Sequence, residues 1–233
     1  MRHTAVALVL LFAVLPASAQ VVDDKEKADG FKALFDGKTL DGWKVYDGKA
    51  EVWAAEDGLI VCKGGGGGWL GSTRDHDNFV LRLEYRLKPG GNSGVYIRAP
   101  EKGHISRVGM EIQILDDPWY KDEKNYKGGI KPTQLTGAVY GVVPPSEDAV
   151  KPAGEWNAME IRADGRQVVV VLNDKKIVDA DLDRCRRDPK VAKEHHGLAR
   201  TTGRIGLQSH SERVEFRNLR IRDISQQRLK KAD

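Results

Sequence analysis

The sequence predicts an all-β protein, a sandwich or jelly roll of antiparallel sheets, and three observations predict it. Short runs rich in Val, Ile, Leu and aromatic residues recur from Phe31 onward, at the spacing of strands in a two-layer β domain. Within them hydrophobic and polar residues alternate: Phe79, Leu81, Leu83, Tyr85 and Leu87 fall on one face, and Val80, Arg82, Glu84 and Arg86 on the other. That period of two marks a sheet packed on one side and wet on the other. Tight-turn pairs, Asp57-Gly58, Asp164-Gly165 and Asn173-Asp174, separate the runs.

Taken in order, strands are expected at 51–54, 59–62, 79–87, 94–98, 111–115, 138–141, 156–163, 167–172, 176–181, 204–208 and 214–223. Helix signals are confined to a turn near 146–150 and a short piece at 189–195. Upstream, Arg2 precedes an apolar run from Ala5 to Leu15 and then Ala17-Ser18-Ala19. This reads as a signal peptide over residues 1–19, cleaved before Gln20 and too short to be a membrane anchor. An exported protein, periplasmic or extracellular, is expected. Residues 20–30, charged and without apolar periodicity, read as a linker. Residues 31–224 read as one domain, and residues 225–233 as a basic, frayed tail. The formal charge of +4 is weak and its Lys and Arg are dispersed, so no nucleic-acid footprint is present. Export permits a disulfide between Cys62 and Cys185, but geometry decides pairing.

Several strands carry unusual polar faces. In GMEIQILDD, residues 109–117, Met110, Ile112 and Ile114 point one way and Glu111 and Gln113 the other. Neighbouring strands offer Asn92, Tyr96 and Arg98, and Arg204, Gln208 and His210. Sharing one sheet, these groups would make a face of planar amides, guanidinium and aromatic rings without Lys, suited to sugar hydroxyls and rings. A plain solvated face is the competing reading. Five glycines, Gly64 to Gly68, present Trp69, either as a lip over a ligand or as a core residue. The stretch 116–136, with Trp119, Tyr120, Tyr126 and Lys131, is long enough for a lid.

The blocks FKALFDGKTLDGW, WAAEDGLIVCKGGGGGWL, FVLRLEYRLKPGGNSGVYIRA, MEIQILDD, TGAVYG, KPAGEWNAMEI, VVVVLNDKKIVD and RIGLQSHSERVEFRNLRI follow one another in order. Together they resemble the 3-keto-disaccharide hydrolase family over about residues 31–224. The resemblance implies a concanavalin/laminin-G-like β-sandwich jelly roll of two antiparallel sheets. It also implies cleavage of glycosides already oxidised to a ketone at C3. A C3 ketone acidifies the C2 hydrogen, so a base can remove it and the C1 substituent can leave by elimination, with water adding later. Such a route needs a base near C2 and donors near the C3 oxygen, not the paired carboxylates of ordinary glycosidases.

Glu111 is the candidate base, its apolar neighbours favouring a raised pKa; its competing role is a structural partner of Arg98 or Arg204. His104, Asp116 and His210 are alternatives. Arg98, Gln113, Glu84 and Gln208 are candidate sugar contacts, Tyr96 and Trp69 a candidate platform, and Lys131 and Tyr140 candidate proton donors. A divalent cation, structural or catalytic, has no defined ligand set, since the spacing of His104, Glu111 and Asp116 matches no known motif. His195 and His196 read as part of a solvated loop. A carbohydrate is the expected partner. The rival to the enzyme reading is a non-catalytic carbohydrate-binding module; a two-carboxylate glycosidase lacks an evident second acid.

Overall fold

The computed structural model describes residues 22–226; the signal-peptide reading and most of the basic tail lie outside the described residues. Thirteen strands run in chain order: β1 (Lys32–Ala33), β2 (Trp43–Tyr46), β3 (Trp53–Glu56), β4 (Leu59–Cys62), β5 (Trp69–Ser72), β6 (Phe79–Leu87), β7 (Asn92–Ala99), β8 (Met110–Leu115), β9 (Asn157–Asp164), β10 (Gln167–Leu172), β11 (Lys175–Asp181), β12 (Arg204–Gln208) and β13 (Val214–Asp223). They form two antiparallel sheets. The larger has the order β11-β10-β9-β6-β13-β4-β3, with β1 added beside β13, and the smaller has the order β2-β5-β12-β7-β8. This is the predicted two-sheet sandwich.

Local chemistry explains the pieces that the sequence located well. The β3–β4 hairpin turns on Asp57 and Gly58 and the β10–β11 hairpin on Asn173 and Asp174, all at positive φ. Paired left-handed residues give the turn whose twist matches the strands. β6 buries every second residue, so Leu81, Leu83 and Tyr85 meet Ile97, Ile112 and Ile114 of the smaller sheet in the main core. Cys62 and Cys185 are both free; Cys62 is a buried core residue of β4.

Three expectations fail locally. The charged stretch read as a linker contains a helix, α1 (Asp24–Ala28), capped by Asp23, whose side chain accepts from the Glu26 amide. α1 docks on the outer face of the large sheet because Glu26 pairs there with Arg82 at 2.9 Å and Arg220 at 2.7 Å. Residues 138–141 form isolated bridges, Val139 pairing with Ile112 and with Val143, rather than a strand. Strands β2 and β5 were hidden, β5 by the glycine run before it. Gly64 to Gly68 all adopt positive φ. Gly65 and Gly66 donate to the carbonyls of Ser211 and His210, and at Gly64 a Cβ would lie 2.4 Å from the Ser211 oxygen. The run is a docked crossover between the two sheets that only glycine can make.

Candidate functional site

The outward face of the smaller sheet gathers Tyr46, Trp69, Gln208, Tyr96 and Glu111 across all five strands. Tyr46 pairs with Trp69 and Trp69 with Gln208, while Tyr96 pairs with Gly206 on one side and Glu111 on the other. Glycines form its floor. A Cβ at Gly71 would lie 2.2 Å from the Trp69 ring, one at Gly206 2.3 Å from it, and one at Gly94 2.6 Å from the Glu111 carboxylate. Trp69 therefore lies flat on the sheet, stacked on Tyr46 at 4.5 Å and edge-on to Tyr96 at 5.7 Å. It belongs to a small apolar cluster closed by Ile105 from a short helix, α2 (Ile105–Val108), and is not an exposed lip. Gly206→Ala is expected to destabilise the fold by about 1–3 kcal/mol, because the indole has no room to shift; urea denaturation measures it.

Glu111 is 4 % exposed and Gln113 3 %. Oriented to suit its neighbours, the Gln113 amide donates to the Ser93 carbonyl at 2.9 Å and to a Glu111 oxygen at 3.2 Å. The Gln208 amide donates to the Tyr96 hydroxyl at 2.8 Å and lies in hydrogen-bonding reach of Glu111. The two arginines proposed as partners of Glu111 are engaged elsewhere: Arg204 with Asp75 and Glu101, Arg98 with backbone carbonyls. Burial without a cation lifts the Glu111 carboxyl from 4.5 to about 8, the Gln208 bond opposing. Burial likewise keeps the Tyr96 hydroxyl protonated.

This shift fixes a stability prediction. The folded state holds the Glu111 proton more tightly than the unfolded chain, so stability falls as pH rises from about 4.5 to about 8. Glu111→Gln removes the titration. The variant is expected to match wild type near pH 4.5 and to exceed it by a few kcal/mol above pH 8, in thermal melts across that range.

Other candidates are placed differently. Arg98 does not lie on the polar face. It has φ 49 at a register shift between β7 and β12, and this bulge turns its side chain inward, where it is fully buried. Its guanidinium donates to the carbonyls of Gly165 at 2.8 Å, Arg200 at 3.2 Å and Asp77 at 3.3 Å. Glu84 lies on the other sheet, held by Arg217 at 2.8 Å and Asn218 at 2.6 Å. Asp116 accepts from the Gly90 amide at 2.9 Å and caps another short helix, α3 (Asp117–Lys121), a structural use. Asp117 holds Thr136 through backbone and hydroxyl, and burial raises its carboxyl to about 6. His210 is exposed and meets Ser211 at 3.2 Å. Among the described residues no three His, Cys, Asp or Glu side chains come together as a metal site, so His104, Glu111 and Asp116 form no ligand set.

His104, Lys131 and Tyr140 converge instead on a groove of about 470 Å³. The groove borders the Glu111 strand, since the Tyr140 amide donates to the Glu111 carbonyl at 2.9 Å. Sequence reasoning missed two members of this region. His195, read as solvated, is buried and bonded to the Ser106 carbonyl at 3.1 Å. Tyr46 was invisible because β2 was not predicted. At the Asn92 end, Trp119, Tyr120 and Tyr126 form an edge-to-face aromatic chain with centroids 4.8 and 5.2 Å apart. The stretch read as a lid thus sits beside the sheet face, Tyr120 reaching Asn92.

Two atoms on this face are conspicuous. Trp69 Nε1 and Gln208 Oε1, on directly paired residues, are buried with no hydrogen-bond partner. A buried donor and a buried acceptor left without partners are each costly.

Comparison with known proteins identifies the family. Residues 30–222 match the 3-keto-alpha-glucoside-1,2-lyase-like domain. A 3-keto-disaccharide hydrolase of Bacteroides thetaiotaomicron is 30 % identical, the alignment covering 84 % of this chain and 79 % of the relative. A crystal structure from Parabacteroides distasonis, of a protein assigned as a glycosyl hydrolase, superposes with a TM-score of 0.77 at 30 % identity, covering 88 % of this chain and 99 % of the other. The carbohydrate-binding module CBM66 of Bacillus subtilis, at 14 % identity and a TM-score of 0.51 over 78 % of this chain and 96 % of its own, shares the fold alone. The chain belongs to the 3-keto-alpha-glucoside-1,2-lyase-like domain family, a glycoside-acting, hydrolase-like family.

Proposed function

We propose that this protein cleaves glycosides carrying a ketone at C3, beginning with removal of the C2 proton by Glu111. The observation that carries the reading is the Glu111 carboxyl itself: buried, without a cationic partner, flanked by two amides and lifted to about 8. A base of that strength suits a carbon acid better than an ordinary carboxylate does. The ionised carboxylate takes the C2 proton, and the C–H electron pair moves into an enediolate whose negative charge rests on the C3 oxygen. The Tyr96 hydroxyl, which accepts from the Gln208 amide and keeps its own proton, suits that oxygen. The pair then returns to form a C1–C2 double bond as the C1–O bond breaks, and the leaving group departs with its electrons. Water adding at C1, with a proton returning to C2, completes a net hydrolysis.

The outward-facing strand positions around Glu111 hold amides, aromatics and glycines, and its nearest carboxylates in sequence, Asp116 and Asp117, are committed to Gly90 and Thr136. This favours the ketone-dependent route over the two-carboxylate mechanism, which needs a second acid across the bond. We place the reaction outside the cytoplasm on the strength of the leader-like residues 1–19 alone.

Aglycone release from a 3-keto-glucoside and from its unoxidised parent tests the reading. Release from the keto compound only is expected. Release from both would replace the mechanism with an ordinary hydrolysis. Sugar binding without release from either would leave a carbohydrate-binding module.

A further inference from the structure

We propose that Gln208 is the positioning residue of this site: its amide nitrogen bridges the Glu111 carboxylate and the Tyr96 hydroxyl, keeping the first ready to take a proton and the second ready to share one. The inference rests on the function proposed above and deepens it. Gln208 and Glu111 stand on strands that do not pair, because β7 runs between β12 and β8. Their side chains meet only by crossing β7, and Gly94 leaves the way open. A Cβ there would lie 2.6 Å from a Glu111 carboxylate oxygen, so the carboxylate lies over bare glycine backbone. Gln208 is anchored from the same strand, its backbone carbonyl accepting from the Ser93 hydroxyl at 2.8 Å. Its side chain lies in hydrogen-bonding reach of Glu111.

The donor inventory fixes which way the amide points. An ionised carboxylate only accepts, so Gln208 turns Nε2 toward Glu111. The same nitrogen donates to the Tyr96 hydroxyl at 2.8 Å. The phenol oxygen therefore accepts, and its own proton is left for a third partner. The reversed amide would set Oε1 against both groups, repelling the carboxylate and capturing the Tyr96 proton. Oε1 is instead turned away and buried without a partner, a costly arrangement that the bridge explains. The surroundings of the carboxyl offer no charge to replace it. Tyr96 is the titratable group that meets it from β7, Gln113 lies on its own strand, and Val139 closes the outer edge of β8 through its bridge to Ile112. The two amides thus favour the ionised form against the burial that opposes it.

Gln208→Met keeps the length of the side chain and removes the donor. The pH at which kcat/KM for a 3-keto-glucoside levels off is expected to move up by about one unit, the worth of one hydrogen bond to a charged group, so that the rate at pH 7 falls about tenfold. A loss that is equal at every pH, with the breakpoint unmoved, is what a merely structural role predicts and would overturn the proposal. A second readout needs no turnover: the Glu111 side-chain carboxyl followed by carbon NMR through a pH titration. Its midpoint should rise by about the same unit in Gln208→Met. In the wild type the Gln208 side-chain amide should titrate with the Glu111 midpoint. An amide that stays still while Glu111 titrates sinks the proposal, and this measurement holds even where the variant does not fold. If no keto substrate is cleaved while both resonances move together, the proposed function fails and the bridge stands.

Discussion

Glu111→Gln is expected to lower kcat/KM for a 3-keto-glucoside by about 10²–10⁴, the usual contribution of a positioned general base. The amide keeps the shape and the neighbours of the protonated carboxyl but cannot take a proton. Folding is preserved, because Gln113 and Gln208 can hydrogen-bond an amide oxygen as they do a carboxyl. The wild-type pH profile gives the same residue a signature. With the carboxyl lifted to about 8, roughly a tenth is ionised at pH 7, so kcat/KM should rise about tenfold per pH unit below 7 and level off beyond 8. Steady-state rates between pH 5.5 and 9 measure this. A profile that is flat across that range, or a variant with wild-type rates, would rule out Glu111 as the base.

The second large effect is on stability. Arg98→Ala should cost about 3–5 kcal/mol, lowering the melting temperature by roughly 10 °C or more for a domain of this size. Arg98 is fully buried and joins three separate stretches of chain through the carbonyls of Asp77, Gly165 and Arg200. The contact is returned, since Arg200 Nε donates to the Arg98 carbonyl at 2.8 Å. Truncation leaves a cavity and strands three acceptors away from water. Arg98→Lys restores charge but not the planar fork that reaches all three at once, and should recover only part of the loss. Differential scanning calorimetry of both variants decides it. A shift of only a degree or two would mean that water replaces the guanidinium.

The two experiments separate residues that looked alike in the sequence. Arg98 and Glu111 are both charged residues on alternating β strands. Strict alternation puts Arg98 on the face with Tyr96; a single residue at φ 49 puts it inside. A bulge of this kind has no reliable local signature when the residue is not glycine. Glu84 illustrates the opposite case. Its side of β6 was correctly read as wet, but a strand does not state which sheet it joins, and Glu84 pairs with Arg217 on the outside of the large one. Asp116 was recognisable as a cap before Pro118, and it serves as one.

By itself the sequence determined the strand texture and the face on which Glu111 and Gln113 lie. Both follow from the period of two and from hairpin residues such as Asn173-Asp174, interactions between near neighbours in the chain. It also carried the family, because many short blocks keep their order even where each is weak. Tertiary structure alone decided the rest. Which strands share a sheet placed Trp69, Gln208, Tyr96 and Glu111 side by side from segments far apart in sequence. The absence of a cation beside Glu111 depends on where Arg98 and Arg204 find their partners. The burial of His195 depends on residues 106 and 141 meeting it from different loops. A pKa and an orphaned hydrogen bond are properties of surroundings, and surroundings exist only once the two sheets have closed on one another.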